Sequence, residues 1–296
     1  MADVKIAGAP ISWGVCEVPN WGHQMTPERV LKEMAELGLG ATEFGPEGFL
    51  PTEAKLRAEV LEAHGMEAVG GFFPVVLHLA DQDPMPIVQK ELEAYVASGA
   101  KTLVLSAITG LDGYDVKRTT LDEAGWKVLN GNLDRVREYC ISLGITAVLH
   151  PHVGTMVETK DDIEHILAGS KIDFCLDTGH MIIGGTDPVE FVHQHADRVK
   201  HSHLKDVNLK VADRVQAGEI TYYQGILEGM YVPLGEGDVD IRAIVRGLIQ
   251  SGYQGWFTLE QDNVVNSEPP VGGGPLDNAK KSVAFIRAVA DELAAE

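Results

Sequence analysis

Apolar and polar positions along this chain alternate between two patterns of different length. Short, mostly apolar segments of strand length occupy positions 4–13, 41–45, 67–73, 102–106, 145–152, 173–177, 199–205 and 256–262. Helical patterns follow them, with apolar residues recurring at three- and four-residue spacing. The C-terminal ends of the first four apolar segments fall roughly thirty residues apart, the length of one strand, loop and helix. Eight such units predict an α/β fold, a closed (β/α)8 TIM barrel. An open doubly wound sheet is the competing architecture. It calls for a glycine fingerprint after the first strand, and Gly14-Val15-Cys16-Glu17 is not one.

Capping residues mark the helices. Thr26-Pro27 opens the first and Gly38 ends it; Thr52 opens the second and Gly65 follows it. Residues 120–143 form a longer amphipathic run stopped by Gly144. Asp187-Pro188 opens a helix over 188–196, and a last helix over 278–294 closes the wall. Two stretches interrupt the rhythm. Residues 207–237 carry Tyr222-Tyr223 and several glycines, and residues 263–277 carry Pro269-Pro270 and Gly272-Gly273-Gly274. Both follow strands on the side where barrel enzymes build their sites, so the first is read as a substrate lid.

Length and composition narrow this picture. A barrel needs ~250 residues, so 296 residues accommodate one domain over 1–296. A formal charge of −20 argues against nucleic-acid and anionic-membrane partners, whose phosphates it would repel. No apolar run reaches the ~20 residues of a membrane span, and the start of the chain is too short before the first strand to be a signal peptide. The three cysteines, Cys16, Cys140 and Cys175, form no paired motif and are expected to be reduced thiols in a cytoplasmic protein.

The chemistry gathers at the ends of the last four strands. There stand His150-Pro151-His152, Asp177-Thr178-Gly179-His180, His201-Ser202-His203-Leu204-Lys205-Asp206 and Glu260-Gln261-Asp262. Residues two apart on a strand share a face, so His150 pairs with His152, and His201, His203 and Lys205 fall together. A lone strand histidine is usually a hydrogen-bonded core residue. Four consecutive strands presenting mixed His, Asp and Glu at one level instead suit a divalent ion: Mn²⁺, Co²⁺, Mg²⁺ or Zn²⁺.

These pieces, together with Ala9-Pro10-Ile11-Ser12-Trp13, Thr42-Glu43-Phe44-Gly45, His150-Pro151-His152-Val153-Gly154-Thr155 and Pro233-Leu234-Gly235-Glu236-Gly237-Asp238-Val239-Asp240, resemble the xylose-isomerase-like barrel superfamily and, within it, the inosose dehydratase family. The similarity spans nearly the whole chain. It implies a metal held by residues of strands five to eight: Asp177, His203 and Glu260 match three ligand positions. At the first position, where a glutamate is usual, this chain has His150, or His152 if the strand is offset. Losing one of two paired glutamates leans the expected reaction towards elimination of water from a cyclic polyhydroxy ketone such as 2-keto-myo-inositol.

On that reading Mn²⁺ or Co²⁺ lead, with Mg²⁺ or Zn²⁺ as alternatives. His152 and His180 are the expected base and acid. Lys205 holds substrate oxygens or, alternatively, pairs with Glu260 or Asp262. Glu43 binds substrate hydroxyls, and Trp13 is either a wall for the ring or a core residue. By analogy with the family a homo-oligomer is expected. The competing reactions are a ketose 3-epimerase or sugar isomerase and a lyase on 3-keto-glycosides. A DNA endonuclease is disfavoured by the charge, and a sugar-binding barrel would tolerate loss of Asp177 or Glu260.

Overall fold

A computed structural model describes residues 4–296. Eight parallel strands close into one barrel. In chain order they are β1 (Ile6–Gly8), β2 (Ala41–Glu43), β3 (Glu67–Val75), β4 (Thr102–Ala107), β5 (Thr146–Leu149), β6 (Asp173–Asp177), β7 (Val199–Leu204) and, after a short hairpin, β10 (Phe257–Leu259). Around the cylinder the order is β1-β10-β7-β6-β5-β4-β3-β2, and β1 pairs with β10 to seal it. The expected (β/α)8 TIM barrel is therefore the fold.

Alternation divides each strand between two cores. Ile6, Leu103, Leu105, Ala147, Leu149, Phe174, Leu176, Leu204, Phe257 and Leu259 belong to the large cluster between strands and helices. The residues between them turn inward. Ala7, Ala41 and Val69 form one small interior cluster, and Val104, Val148 and Cys175 another. Further along the same inward rows come Glu43, Asp177, His201 and His203, all buried. Small side chains thus fill the inside of the cylinder, and its mouth holds titratable ones.

The outer layer follows the sequence punctuation closely. α1 (Pro27–Glu36) starts at Pro27 behind Thr26. α4 (Glu123–Ser142) is capped by Asp122, whose carboxylate accepts the Gly125 N–H. α10 (Ile241–Gln250) buries Ile241, Ile244, Val245 and Leu248, one face of a helix. Each such side chain contributes ~1.5–3 kcal/mol on leaving water.

Five details differ from the sequence reading. The first strand stops at Gly8, and Pro10–Trp13 forms a 3-10 turn, because Pro10 has no N–H for a ladder and suits the first position of a turn. β5 stops at Leu149 for the same reason: Pro151 follows His150, so both histidines lie just beyond the strand. α2 (Ala54–Ala63) begins after Glu53, not Thr52. The last helix, α11 (Pro275–Ala295), starts at Pro275, three residues early. Stretch 207–237 is no open loop. It holds α8 (Leu209–Gln216), α9 (Tyr222–Leu227) and an antiparallel pair, β8 (Asp206–Val207) with β9 (Tyr231–Val232).

Asp206 anchors that excursion. Its carboxylate accepts the N–H groups of Val207 (2.9 Å), Gly235 (2.8 Å), Gly237 (3.0 Å) and Val239 (3.1 Å), closing the base of the segment onto β7. Among the described residues, no helix is long and apolar enough to cross a membrane.

Candidate metal and acid–base centre

Asp177 ends β6 and opens α6 (Thr178–Ile183), and its two oxygens have separate tasks. Oδ1 accepts the His180 N–H at 2.7 Å and caps the helix. Oδ2 faces the barrel interior, 3.1 Å from His150 Nε2, 3.6 Å from His203 Nδ1 and 3.4 Å from Lys205 Nζ. Glu260, one residue beyond β10, brings Oε2 to 2.7 Å from His203 Nδ1. Ligand atoms of His150, Asp177, His203 and Glu260 all lie within 4.8 Å of one another.

The donor set fits a divalent ion. His203 Nδ1 is buried and 2.7 Å from a carboxylate oxygen, yet makes no hydrogen bond there. A nitrogen and an oxygen that approach without bonding each other are placed as two ligands of one cation are. His203 Nε2 meets Glu43 Oε1 across the barrel at 2.9 Å. Burial would lower His203, but Cys175, Glu260 and Glu43 outweigh it and hold the ring well above the ordinary histidine range. Loss of the Nδ1 proton to a cation would leave Nε2–H on Glu43 and a lone pair on Nδ1, the carboxylate–histidine–metal arrangement. His150 belongs to this group and His152 does not.

Glu43 ends β2 at the same level. Its Oε1 receives both His203 Nε2 and His201 Nε2, the latter at 2.8 Å, so this oxygen holds two imidazoles. Burial would raise its carboxyl, but the facing His203 and His201 outweigh this and bring it down to about 2. Trp13 is fully buried in the main core and donates its indole N–H to Glu33 of α1 at 2.8 Å. The structure puts it to packing, the second of its two sequence readings.

His152 and His180 pack beside the carboxylates with ring centroids 3.8 Å apart and planes tilted by 35°. His152 Nδ1 lies 2.7 Å from the Val153 carbonyl, so it carries the proton and Nε2 is a free base. Burial first, then the charges of His150 and Lys205, depress His152 to about 3. Burial and the same kind of neighbours hold His180 well below the ordinary histidine range. Both rings are neutral at pH 7.

Lys205 realises its ion-pair reading. Its Nζ lies 2.9 Å from Glu260 Oε1, 2.8 Å from Asp262 Oδ1 and 3.1 Å from His180 Nε2. Burial would strip its proton, but Asp177, Asp262 and Glu260 together hold the ammonium well above the usual lysine range. His180 Nε2 therefore accepts from Lys205, while its Nδ1 faces the Val153 N–H at 3.5 Å. Gly179 makes room for this lysine: a Cβ there would stand 2.8 Å from its Cγ and Cδ.

Two tyrosines beside the site, Tyr114 and Tyr231, escaped the sequence reading, and Tyr222 was read only as part of the long stretch. Tyr222 of α9 donates to Asp262 Oδ2 at 2.7 Å and meets Tyr231 OH at 2.9 Å. The Tyr231 ring lies 5.0 Å from Lys205 Nζ. Tyr114 stacks on His152 at 4.5 Å. The Tyr222 backbone N–H bonds Asp115 at 2.8 Å, tying α9 to the loop after β4. Beside this seam opens a cleft of about 400 Å³, whose walls include Tyr114, Asp115, Gly154, Glu158 and Thr221.

Comparison with known proteins adds the lineage. A family model described as a xylose isomerase-like TIM barrel matches residues 31–289. The inosose dehydratase of Geobacillus kaustophilus (strain HTA426) is 31% identical, over 98% of this chain and 96% of its own length. A rhizopine catabolism protein, MocC of Rhizobium meliloti, is 29% identical over 92% of this chain and 85% of its own. Among solved structures, an L-ribulose 3-epimerase superposes with a TM-score of 0.70 at 17% identity, covering 98% of this chain and 95% of that one. The IolI protein with a bound zinc atom gives 0.68 at 14%, covering 96% and 98%. At such identities the solved structures speak for the fold alone.

Proposed function

The chain belongs to the xylose isomerase-like TIM barrel family, alongside the inosose dehydratases, and from that premise we propose that it is a divalent-metal-dependent hydro-lyase that removes water from a cyclic polyhydroxy ketone such as 2-keto-myo-inositol. The observation that carries the reading is the junction of two groups. A four-ligand set of His150, Asp177, His203 and Glu260 lies against a neutral histidine pair backed by a buried ammonium.

The roles follow from protonation. His150, Asp177, His203 and Glu260 would hold the ion, which supplies Lewis-acid polarisation of the substrate carbonyl. Mn²⁺ or Co²⁺ suit a set with two imidazoles and two carboxylates, and Mg²⁺ or Zn²⁺ are the alternatives. His152, with Nε2 free, takes the proton from the carbon beside the carbonyl. Lys205, hydrogen-bonded to His180 Nε2, supplies the proton that His180 passes to the departing hydroxyl. After product release His152 gives its proton to solvent and Lys205 takes one up, so the net change is loss of one water. Lys205 also offers positive charge to the developing oxyanion.

The test is turnover of 2-keto-myo-inositol by protein stripped of metal and then reloaded with Mn²⁺ or Co²⁺. A product lighter by one water, formed only after reloading, supports the proposal. Full activity without metal, or an isomeric product carrying solvent deuterium in D₂O, sinks it; the second outcome marks an epimerase.

A further inference from the structure

Cys175 stands two residues before Asp177 on β6, on the same inward row and one step deeper in the barrel. It is fully buried and is a free thiol. Its sulfur and one nitrogen each of His150 and His203 lie within 4.8 Å of one another, a set that shares both imidazoles with the four-ligand group and replaces its two carboxylates by sulfur. A second observation concerns one of the same imidazoles. His150 offers Nε2 to Asp177, while its Nδ1 is buried without any hydrogen-bond partner. The His150 and His203 rings meet edge to face with centroids 4.8 Å apart, so one cation can reach both.

We propose that His150, Cys175 and His203 form a second, thiolate-containing position for a soft divalent ion such as Zn²⁺, inside the barrel beneath the carboxylate-containing position. It rests on the reading that His150 and His203 bind metal at all. Thiolate favours soft and borderline ions, and carboxylate favours hard ones. Zn²⁺ is drawn down towards Cys175, whereas Mn²⁺ and Mg²⁺ stay with Asp177 and Glu260 at the mouth. Because the two positions share their imidazoles, they exclude one another. On binding, the metal–sulfur bond forms and the thiol proton leaves to solvent. The barrel thereby sorts metals by depth, and a sunken zinc is withdrawn from the oxygens that line the substrate side.

The protein stripped of metal and loaded with one equivalent of Zn²⁺ tests this without an activity assay. With Zn²⁺, X-ray absorption of the wild type should show a sulfur neighbour at ~2.3 Å, which needs no variant to fold. Cys175→Ser should weaken Zn²⁺ binding by at least the ~10-fold typical of losing an outer-shell partner and leave Mn²⁺ binding unchanged. A nitrogen-and-oxygen-only zinc shell, or unchanged Zn²⁺ affinity in Cys175→Ser, overturns the thiolate position while leaving the four-ligand reading intact. Absence of any stoichiometric metal overturns both.

Discussion

Glu43 at the end of β2 and His203 on β7 meet across the barrel, Oε1 to Nε2, at 2.9 Å. The contact is 160 residues long in sequence, and it decides which nitrogen of His203 is left for a metal. With Nε2–H committed to Glu43, Nδ1 faces Glu260 and Asp177.

Replacing Glu43 should therefore act through the imidazole. In Glu43→Gln the ring loses its charged acceptor, and metal affinity is expected to fall by about 10–100-fold, as for other outer-shell partners. The barrel itself should stay folded, since Gln is isosteric. Metal titration followed by calorimetry reads the effect. Unchanged affinity would show that the contact does not set the tautomer.

Lys205 is the counter-ion of a buried acidic group. Lys205→Met leaves Asp177, Glu260 and Asp262 facing one another without it. Breaking a buried ion pair from one side costs about 3–5 kcal/mol. Denaturant unfolding of the metal-free protein should show a loss of that order. A bound divalent ion should restore part of it by neutralising Asp177 and Glu260. A loss equally large with and without metal would contradict the shared-charge picture.

His152 gives the stability a defined response to acid. Its folded pKa is depressed to about 3, against ~6.5 when unfolded. Between these values the unfolded chain binds a proton that the folded one refuses. Stability is thus fully present above ~6.5 and declines as pH falls towards about 3, by up to ~1.4 kcal/mol per pH unit for this one group. His152→Gln should flatten the slope of unfolding free energy against pH in that window. An unaltered slope would mean that His152 titrates normally in the fold.

Gly154 holds the turn after β5 against the Tyr114 loop. Its φ is +76°, and a Cβ would lie 2.2 Å from the Tyr114 carbonyl oxygen. Gly154→Ala must push that loop away, and with it the ring stacked on His152. We expect a loss of ~1–3 kcal/mol in stability and a kinetic defect, while metal binding by the four ligands stays intact. Normal kinetics in a stable Gly154→Ala protein would detach Tyr114 from the site.

The legible part of the site was the part carried by strands. Asp177, His201, His203 and Lys205 could be placed on inward faces because the side-chain period of a strand is two. The choice between His150 and His152 was not open to that argument, since Pro151 ends the ladder between them and the chain leaves strand geometry. Tyr114, Tyr222 and Tyr231 come from connecting segments, where no period links sequence to direction. Only the packing of α9 over the mouth, with Tyr222 bonded to Asp262, brings them in.

By itself the sequence determined the repeating strand–helix unit, the closure into a barrel and the level at which the metal-capable residues stand. These follow from local periodicity and capping, which act over a few residues. The tertiary structure alone decided that Glu43 holds histidines, that Trp13 is core, that Lys205 is locked among three carboxylates and that Cys175 lies beneath them. The Glu43 and Lys205 contacts join strand ends far apart in the chain, and closing a cylinder is what brings those ends within bonding distance.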